Sequence, residues 1–183
     1  MNSSNVPKII HQIWLEGEPL TDTIKDAINS IKNDNLDFKH ILWTNENLSE
    51  FGLENILSES LHPAFASNIM RLKILEKYGG IYIDADNISV KGINPLYEKY
   101  KNNDISSIYI KNRFADAGII FAKKGIDINK VLVDYKPFEP IGFYLQRLKP
   151  VMIEEELVGK NGEFLKDLRL NSWVKTYRDF KSS

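Results

Sequence analysis

Two carboxylates separated by a single residue are the first feature of this sequence that could do chemistry. Asp84 and Asp86 directly follow the short apolar run 81–83, which is typical of a buried strand. In open α/β sheets the carboxyl ends of the strands border the ligand crevice, so the pair would lie beside a ligand. Both side chains are ionised near neutral pH, and their oxygen atoms suit a hard divalent cation, Mg²⁺ or Mn²⁺. The pair therefore predicts a metal site that recruits phosphate oxygens as further ligands.

The same pair also has an ordinary interpretation. A chain with 12 aspartates contains roughly one D-x-D pattern by chance. A turn exposed to solvent could hold both aspartates without any ligand. The surrounding sequence has to decide between the two interpretations.

The helix predicted before this strand carries an arginine on its apolar side. Ser67, Asn68 and Arg71 share a face through spacings of three and four residues. A guanidinium group is always charged and is costly to bury without an anionic partner. That partner is either a structural carboxylate, such as Asp84, or a hydroxyl or phosphate group of a ligand in the same cleft. The carboxylate pair immediately downstream favours the ligand.

Strands and helices alternate along the chain, which predicts a layered α/β fold with a mostly parallel central sheet flanked by helices. Strands are predicted at residues 8–15, 38–43, 81–86, 105–110 and 117–122. Helices are predicted from a cap at Thr21 to residue 32, briefly from Ser49, and at 63–78, 128–135 and 139–148, with a polar tail section after them. Gly79 and Gly80 predict a left-handed cap that turns the long helix into the aspartate strand.

Length and composition narrow the class of protein. The 183 residues, 43% of them hydrophobic, predict one domain over residues 1–183. The absence of cysteine excludes disulfides, cysteine-bearing zinc sites and thiol nucleophiles. Because 24 basic side chains balance 25 acidic ones, we expect no nucleic-acid partner. No secretory signal or apolar stretch long enough to span a bilayer is visible, so we expect no integral membrane segment and a cytoplasmic location, in a cell or an infected host.

Three blocks of the sequence resemble the DXD-containing sugar transferases. These blocks are Pro7-Lys8-Ile9-Ile10-His11-Gln12-Ile13-Trp14, then Ala66-Ser67-Asn68 with Arg71, then Tyr78-Gly79-Gly80-Ile81-Tyr82-Ile83-Asp84-Ala85-Asp86. Weaker similarity continues at residues 114–125, 140–142 and 172–173. The group includes outer-chain α-mannosyltransferases, capsular polysaccharide transferases and, more distantly, the catalytic domain of glucosylating toxins. The resemblance implies a minimal GT-A-like domain that binds nucleotide-diphosphate-sugars.

The activity implied by the resemblance is a metal-dependent, retaining transfer of a sugar from a UDP- or GDP-sugar to a glycan or protein acceptor, with Mn²⁺ or Mg²⁺ as the cofactor. It implies donor contacts from Gln12, Ile13, Trp14, Asn68, Arg71, Tyr82, Asp84 and Trp173. Trp14 would lie against the base, whereas Asn68 and Arg71 would face sugar or ribose hydroxyls. Asp86 would ligate the metal directly, with Asp84 in its water shell. Ser172 would be a further metal ligand, closing over the diphosphate with Trp173.

Asp116 is a candidate for a second catalytic carboxylate, beside Asp84, Asp86 and Arg71. It stands among small residues, where it could lie near the donor sugar, although an aspartate at the surface end of a strand is the alternative. Trp14 could equally be part of the core. His11, within a buried strand, is expected to be a core histidine rather than a base.

Two departures from the family pattern support a different function. Relatives usually have Asp where this chain has Asn68, and an amide lacks the negative charge that accepts sugar hydroxyl protons strongly. Many relatives also have a histidine shortly before the terminal Ser-Trp, whereas all three histidines here lie in the first third of the chain. The alternative is therefore a sugar-nucleotide-binding module with little or no activity. A metal-dependent phosphohydrolase would need more ligands than are visible.

Overall fold

Eight strands are present in the computed structural model, which describes residues 5–15, 20–51, 63–110, 114–136 and 139–168. In chain order they are β1 (Ile9–Ile13), β2 (Lys39–Trp43), β3 (Gly80–Ile83), β4 (Asn87–Ser89), β5 (Ile105–Ile110), β6 (Phe114–Ala122), β7 (Val151–Ile153) and β8 (Leu165–Asp167). Six of them form one sheet in the order β2-β1-β3-β6-β5-β7, and β4 pairs with β8. Only β6 in the large sheet runs against its neighbours, so the predicted mostly parallel sheet is confirmed.

Helices cover both faces of the large sheet. They are α1 (Asp22–Asp34), α2 (Pro63–Tyr78), α3 (Asn94–Tyr100), α4 (Asn129–Leu132), α5 (Gly142–Leu145) and α6 (Glu155–Val158), with single 3₁₀ turns at Ser49–Phe51 and Gln146–Leu148. Successive strand residues face opposite sides: Tyr82 belongs to the core under α2, whereas Ile81 and Ile83 belong to the core that also holds side chains of α1 and α3. The α/β fold class follows from these layers.

The start of α1 and both ends of α2 agree with the sequence predictions. The Thr21 hydroxyl accepts a hydrogen bond from the Ile24 backbone N–H at 3.4 Å and caps α1. Helix α2 ends where Gly79 and Gly80 adopt φ angles of 64° and 110°, and the Gly79 N–H donates to the Leu75 carbonyl at 2.8 Å. The left-handed turn fixes the distance between α2 and β3, and with it the distance from Arg71 to Asp84.

The second half of the chain differs from the prediction. The helix expected at residues 128–135 covers only Asn129–Leu132, and β6 begins at Phe114 rather than at residue 117. The segment after residue 148, expected to be a polar tail, contributes β7 to the large sheet and β8 to the small one. Three-residue strands depend on distant partners rather than on a local pattern, so periodicity does not detect them. No helix within the described ranges is long and apolar enough to cross a membrane.

Candidate functional site

The parallel strands β2, β1 and β3 bring the predicted site residues to one edge of the sheet. Residue pairing places Ile13 opposite Trp43, and His11 opposite both Ile41 and Tyr82. Their carboxyl ends therefore meet, with Trp14 following β1 and Asp84 following β3. This is the edge at which open α/β sheets bind ligands.

The side chain of Asp84 is held by two donors from the interior. The Tyr82 hydroxyl donates to Asp84 Oδ1 at 2.8 Å, and Arg71 Nη1 lies 3.1 Å from the same oxygen. The Arg71 side chain is only 7% exposed, whereas that of Asp84 is 34% exposed. Burial raises the pKa of Tyr82 well above its usual range, so its hydroxyl stays a neutral donor. The structural carboxylate considered as a partner for Arg71 is therefore present in the fold.

Arg71 ties α2 to the sheet. Its Nη1 donates to the Ala117 carbonyl at 2.6 Å, and its Nε donates to the Ser67 carbonyl at 3.3 Å. The guanidinium carbon lies 4.5 Å from the centre of the Tyr82 ring. These contacts hold the positive charge against the carboxyl end of β3.

The Asp84-Ala85-Asp86 segment is a hydrogen-bonded turn. Its first backbone N–H donates to the Gly118 carbonyl at 2.8 Å, and the Asp84 carbonyl accepts from the Asn87 N–H at 3.1 Å. Asp86 is half-buried, and its carbonyl accepts from the Leu168 N–H at 3.1 Å. The turn is therefore fixed by β6 on one side and by the end of β8 on the other.

Two buried amides support this turn, and the sequence analysis did not assign either role. Asn87 is 3% exposed, and its Nδ2 donates to the Asp84 carbonyl at 3.3 Å. Its Oδ1 is buried without a hydrogen-bond partner among the described residues. The buried Gln12 accepts from His40 Nε2 at 2.8 Å through Oε1, and its Nε2 donates to the Asp84 carbonyl at 3.5 Å. The available signal in the sequence was position: Asn87 directly follows the aspartate pair, and Gln12 lies two residues before Trp14.

His11 is a core residue, as expected. Trp43 Nε1 donates to His11 Nδ1 at 3.1 Å, and His11 Nε2 lies 2.9 Å from the Gly79 carbonyl, to which it donates. Burial lowers the pKa of His11 to about 4, so the ring is neutral at physiological pH. Its two nitrogens are used within the fold, which leaves no role for it as a base.

Trp14 lies next to the aspartate turn. It is half-buried and packs against a small apolar cluster formed by Ile24, Ile28 and Ala85, the last of which separates the two aspartates. Ile13, by contrast, is buried in the main core. Both alternatives for Trp14 thus keep support, since the ring has core contacts and borders the turn.

Asn68 meets a residue that the sequence analysis missed. Its Nδ2 donates to the Tyr135 hydroxyl at 3.3 Å, although the two residues are 67 positions apart. Both side chains are half-buried. No motif surrounds Tyr135, so its place beside α2 depends on the tertiary fold alone.

The structure does not describe the side chains of three predicted site residues. The backbone of Asp116 lies in β6 opposite Ile108 of β5, but its side chain is outside the described part of the chain. Ser172 and Trp173 lie outside the described residues altogether. Their proposed roles near the donor sugar and diphosphate stay predictions.

The donor set at the turn fits a hard divalent cation with few protein ligands. Among the residues that the structure describes, no group of three or more histidines and carboxylates could hold a metal. Two carboxylates at one turn match the way in which Mg²⁺ is held by one or two carboxylates together with water and substrate phosphates. Because Arg71 and Tyr82 already contact Asp84 Oδ1, Asp86 is the better candidate for a direct ligand.

Comparison with known proteins finds a known sequence family that resembles the segment containing this turn. Residues 21–103 match the family described as "Glycosyltransferase sugar-binding region containing DXD motif". A mannosyl phosphorylinositol ceramide synthase of Saccharomyces cerevisiae is 32% identical over 97 residues, covering 50% of this chain and 25% of the relative. An inositol phosphoceramide mannosyltransferase of Schizosaccharomyces pombe is 32% identical over 100 residues, covering 51% and 28%. An uncharacterised glycosyltransferase of Acanthamoeba polyphaga mimivirus is 28% identical over 119 residues, covering 57% and 47%. The chain therefore spans between a quarter and a half of the length of these relatives.

Solved structures agree on the fold. The PaToxG glycosyltransferase superposes with a TM-score of 0.60 at 21% identity, covering 79% of this chain and 69% of that one. A glycosyltransferase involved in glycosylation of the major capsid of PBCV-1 superposes with a TM-score of 0.56 at 10% identity, covering 96% and 100%. These likenesses confirm the GT-A-like fold. Residues 21–103, which contain the Asp84-Ala85-Asp86 turn, are similar to the family of DXD-containing glycosyltransferase sugar-binding regions.

Proposed function

We propose that this protein is a glycosyltransferase that moves a sugar from a UDP- or GDP-sugar to a glycan or protein acceptor in a metal-dependent, retaining reaction. The observation that carries the proposal is the aspartate turn at the carboxyl end of β3, with Arg71 held 3.1 Å from Asp84. The match of residues 21–103 to a glycosyltransferase family supports sugar transfer as the reaction. A cytoplasmic location and the absence of a nucleic-acid partner stay predictions.

Asp86 would hold Mn²⁺ or Mg²⁺ directly, and Asp84 would bind water in the shell around it. When bound, the cation would supply Lewis-acid stabilisation of the negative charge that develops on the leaving diphosphate. Asp84 is preorganised for its part because Tyr82 and Arg71 fix one of its oxygens. Fixed groups of this kind need no reorganisation during the reaction, which is the main source of electrostatic catalysis.

The remaining residues of the site would bind and orient the donor. Trp14, which borders the turn through the cluster containing Ala85, would stack on the base. Asn68 lies one helical turn before Arg71 on α2 and would face a sugar hydroxyl. A retaining transfer in which the leaving phosphate takes the acceptor proton needs no separate base, and none is assigned here.

Calorimetric titration with UDP- and GDP-sugars, with and without Mn²⁺, tests the proposal. We expect metal-dependent binding that Asp86→Asn abolishes. Asp37→Asn is the matched control. Asp37 precedes β2, at the amino ends of the parallel strands and away from the aspartate turn, where it pairs with Lys8 at 2.7 Å. Product formation with a glycan or protein acceptor would complete the test. Binding that survives Asp86→Asn would refute the metal assignment, and no binding of any nucleotide sugar would refute the function.

Asn68 favours one second candidate, a sugar-nucleotide-binding module without turnover. Its amide lacks the carboxylate that relatives usually present at this position. Binding without transfer or donor hydrolysis, in both the natural chain and the Asn68→Asp variant, would support the module. Turnover by the natural chain would exclude it.

A further inference from the structure

Tyr135 contacts Asn68, a residue of the proposed donor site. Asn68 donates to its hydroxyl at 3.3 Å, and Arg71 follows Asn68 by three positions on the same face of α2. Burial raises the pKa of Tyr135, whereas the bond from Asn68 and the positive charge of Arg71 lower it. The hydrogen bond to Asn68 therefore places the phenol beside the helix face that carries Arg71.

The contact with Tyr135 determines how the Asn68 amide is oriented. With Nδ2 donating to the Tyr135 hydroxyl, the amide oxygen Oδ1 is directed elsewhere, and it makes no hydrogen bond to any described residue. Tyr135 is itself held in place: its ring packs edge-on against the Tyr144 ring, with centroids 5.2 Å apart. An ordered amide with an acceptor directed away from its partner is suited to a hydroxyl donor from a ligand.

We propose that Tyr135 is a specificity-determining residue of the donor-sugar site, which orients the Asn68 amide so that Oδ1 accepts a hydrogen bond from a hydroxyl of the donor sugar. The inference rests on the proposed function. An amide and a phenol are neutral groups that match a sugar hydroxyl, whereas Arg71 is already engaged by Asp84 and the Ala117 carbonyl. The pair therefore recognises the sugar rather than the diphosphate.

Tyr135→Phe tests this inference because it removes a single oxygen atom and keeps the ring contact with Tyr144. We expect binding of the nucleotide sugar to weaken about fivefold, as for one neutral hydrogen bond. Binding of the matching nucleoside diphosphate, which has no sugar to contact, should not change. Thermal unfolding, measured on the same samples, establishes that the variant is folded.

Tyr144→Phe is the matched control. It removes the hydroxyl of the neighbouring ring, which donates to Glu139 and not to Asn68, so the nucleotide-sugar affinity should stay unchanged. Asn68→Ala combined with Tyr135→Phe should weaken binding no more than Asn68→Ala alone, because the tyrosine acts through the amide.

The outcomes separate the two proposals. A natural chain that binds no nucleotide sugar refutes the proposed function and this inference with it. Nucleotide-sugar binding that is unaffected by Tyr135→Phe, or weakened equally for the sugar-free diphosphate, refutes the inference alone. Additive effects of the two substitutions also refute it, since they would mean that Tyr135 does not act through Asn68.

Discussion

Replacing Arg71 by lysine should destabilise the protein far more than the same change at an exposed arginine. The guanidinium group contacts Asp84 Oδ1 at 3.1 Å and the Ala117 carbonyl at 2.6 Å, and Nε donates to the Ser67 carbonyl at 3.3 Å. A lysine ammonium is a single point charge and cannot reproduce this planar set of donors. The hydrogen bond from the guanidinium group to the carbonyl of buried Ala117 would then be lost.

The magnitude follows from burial. Breaking a fully buried ion pair costs about 3–5 kcal/mol. Since the Asp84 side chain is 34% exposed and lysine keeps the charge, we expect a smaller loss in the free energy of unfolding, about 2 kcal/mol. Arg147 is the control: it forms a two-pronged contact with Asp134, but its side chain is 40% exposed and that of Asp134 is 60% exposed. Arg147→Lys should have a much smaller effect on stability, because an ion pair exposed to solvent contributes little.

Urea denaturation of the two variants and the natural chain measures both effects. Equal costs for Arg71→Lys and Arg147→Lys, within about 0.5 kcal/mol, would refute the reasoning that the buried donor geometry of Arg71 matters. A folded Arg71→Lys variant should also bind the nucleotide sugar more weakly, because Asp84 loses the partner that fixes its carboxylate. Unchanged binding would mean that this preorganisation is not used.

Two further predictions concern the core beneath the site. Burial lowers the pKa of His11 from 6.5 to about 4, so the unfolded chain binds more protons than the folded one between these pH values. His11 should therefore reduce the free energy of unfolding by about 2 kcal/mol when the pH falls from 7 to 4.5. His11→Gln should show a shallower pH dependence in denaturant titrations, and parallel curves would contradict the assignment. Gly80→Ala should cost about 3 kcal/mol, since a Cβ at φ 110° would lie 2.6 Å from the Ile9 carbonyl oxygen, whereas Gly125→Ala, at φ 84° with open space around it, should cost about 1 kcal/mol in the same assay.

The sequence predicts the part of the site whose residues are close together in the chain. Pro63 marks the start of α2, Gly79 follows its end, and the apolar run before Asp84 identifies β3. The approach of Arg71 to the aspartate turn therefore follows from local rules. Tyr135 could not be predicted in this way, because its contact with Asn68 spans 67 residues and no motif accompanies it. Strand β7 is equally hidden: its three residues are fixed by pairing with β5, where Val151 lies opposite Ser106.

The contacts of the two aspartates determine which of them would ligate the metal directly. Asp84 faces a buried cation, Arg71, so placing a divalent ion on the same oxygen would set two positive charges against each other in a partly buried site. The Arg71–Asp84 pair is formally neutral, so a divalent ion at the proposed site would be ligated by the carboxylate of Asp86. A divalent cation held by one carboxylate would keep a net positive charge that faces the diphosphate. Two aspartates without a positive partner would cancel that charge. In the proposed function, Arg71 would therefore contribute to anion binding without touching the anion, by neutralising one of the two carboxylates.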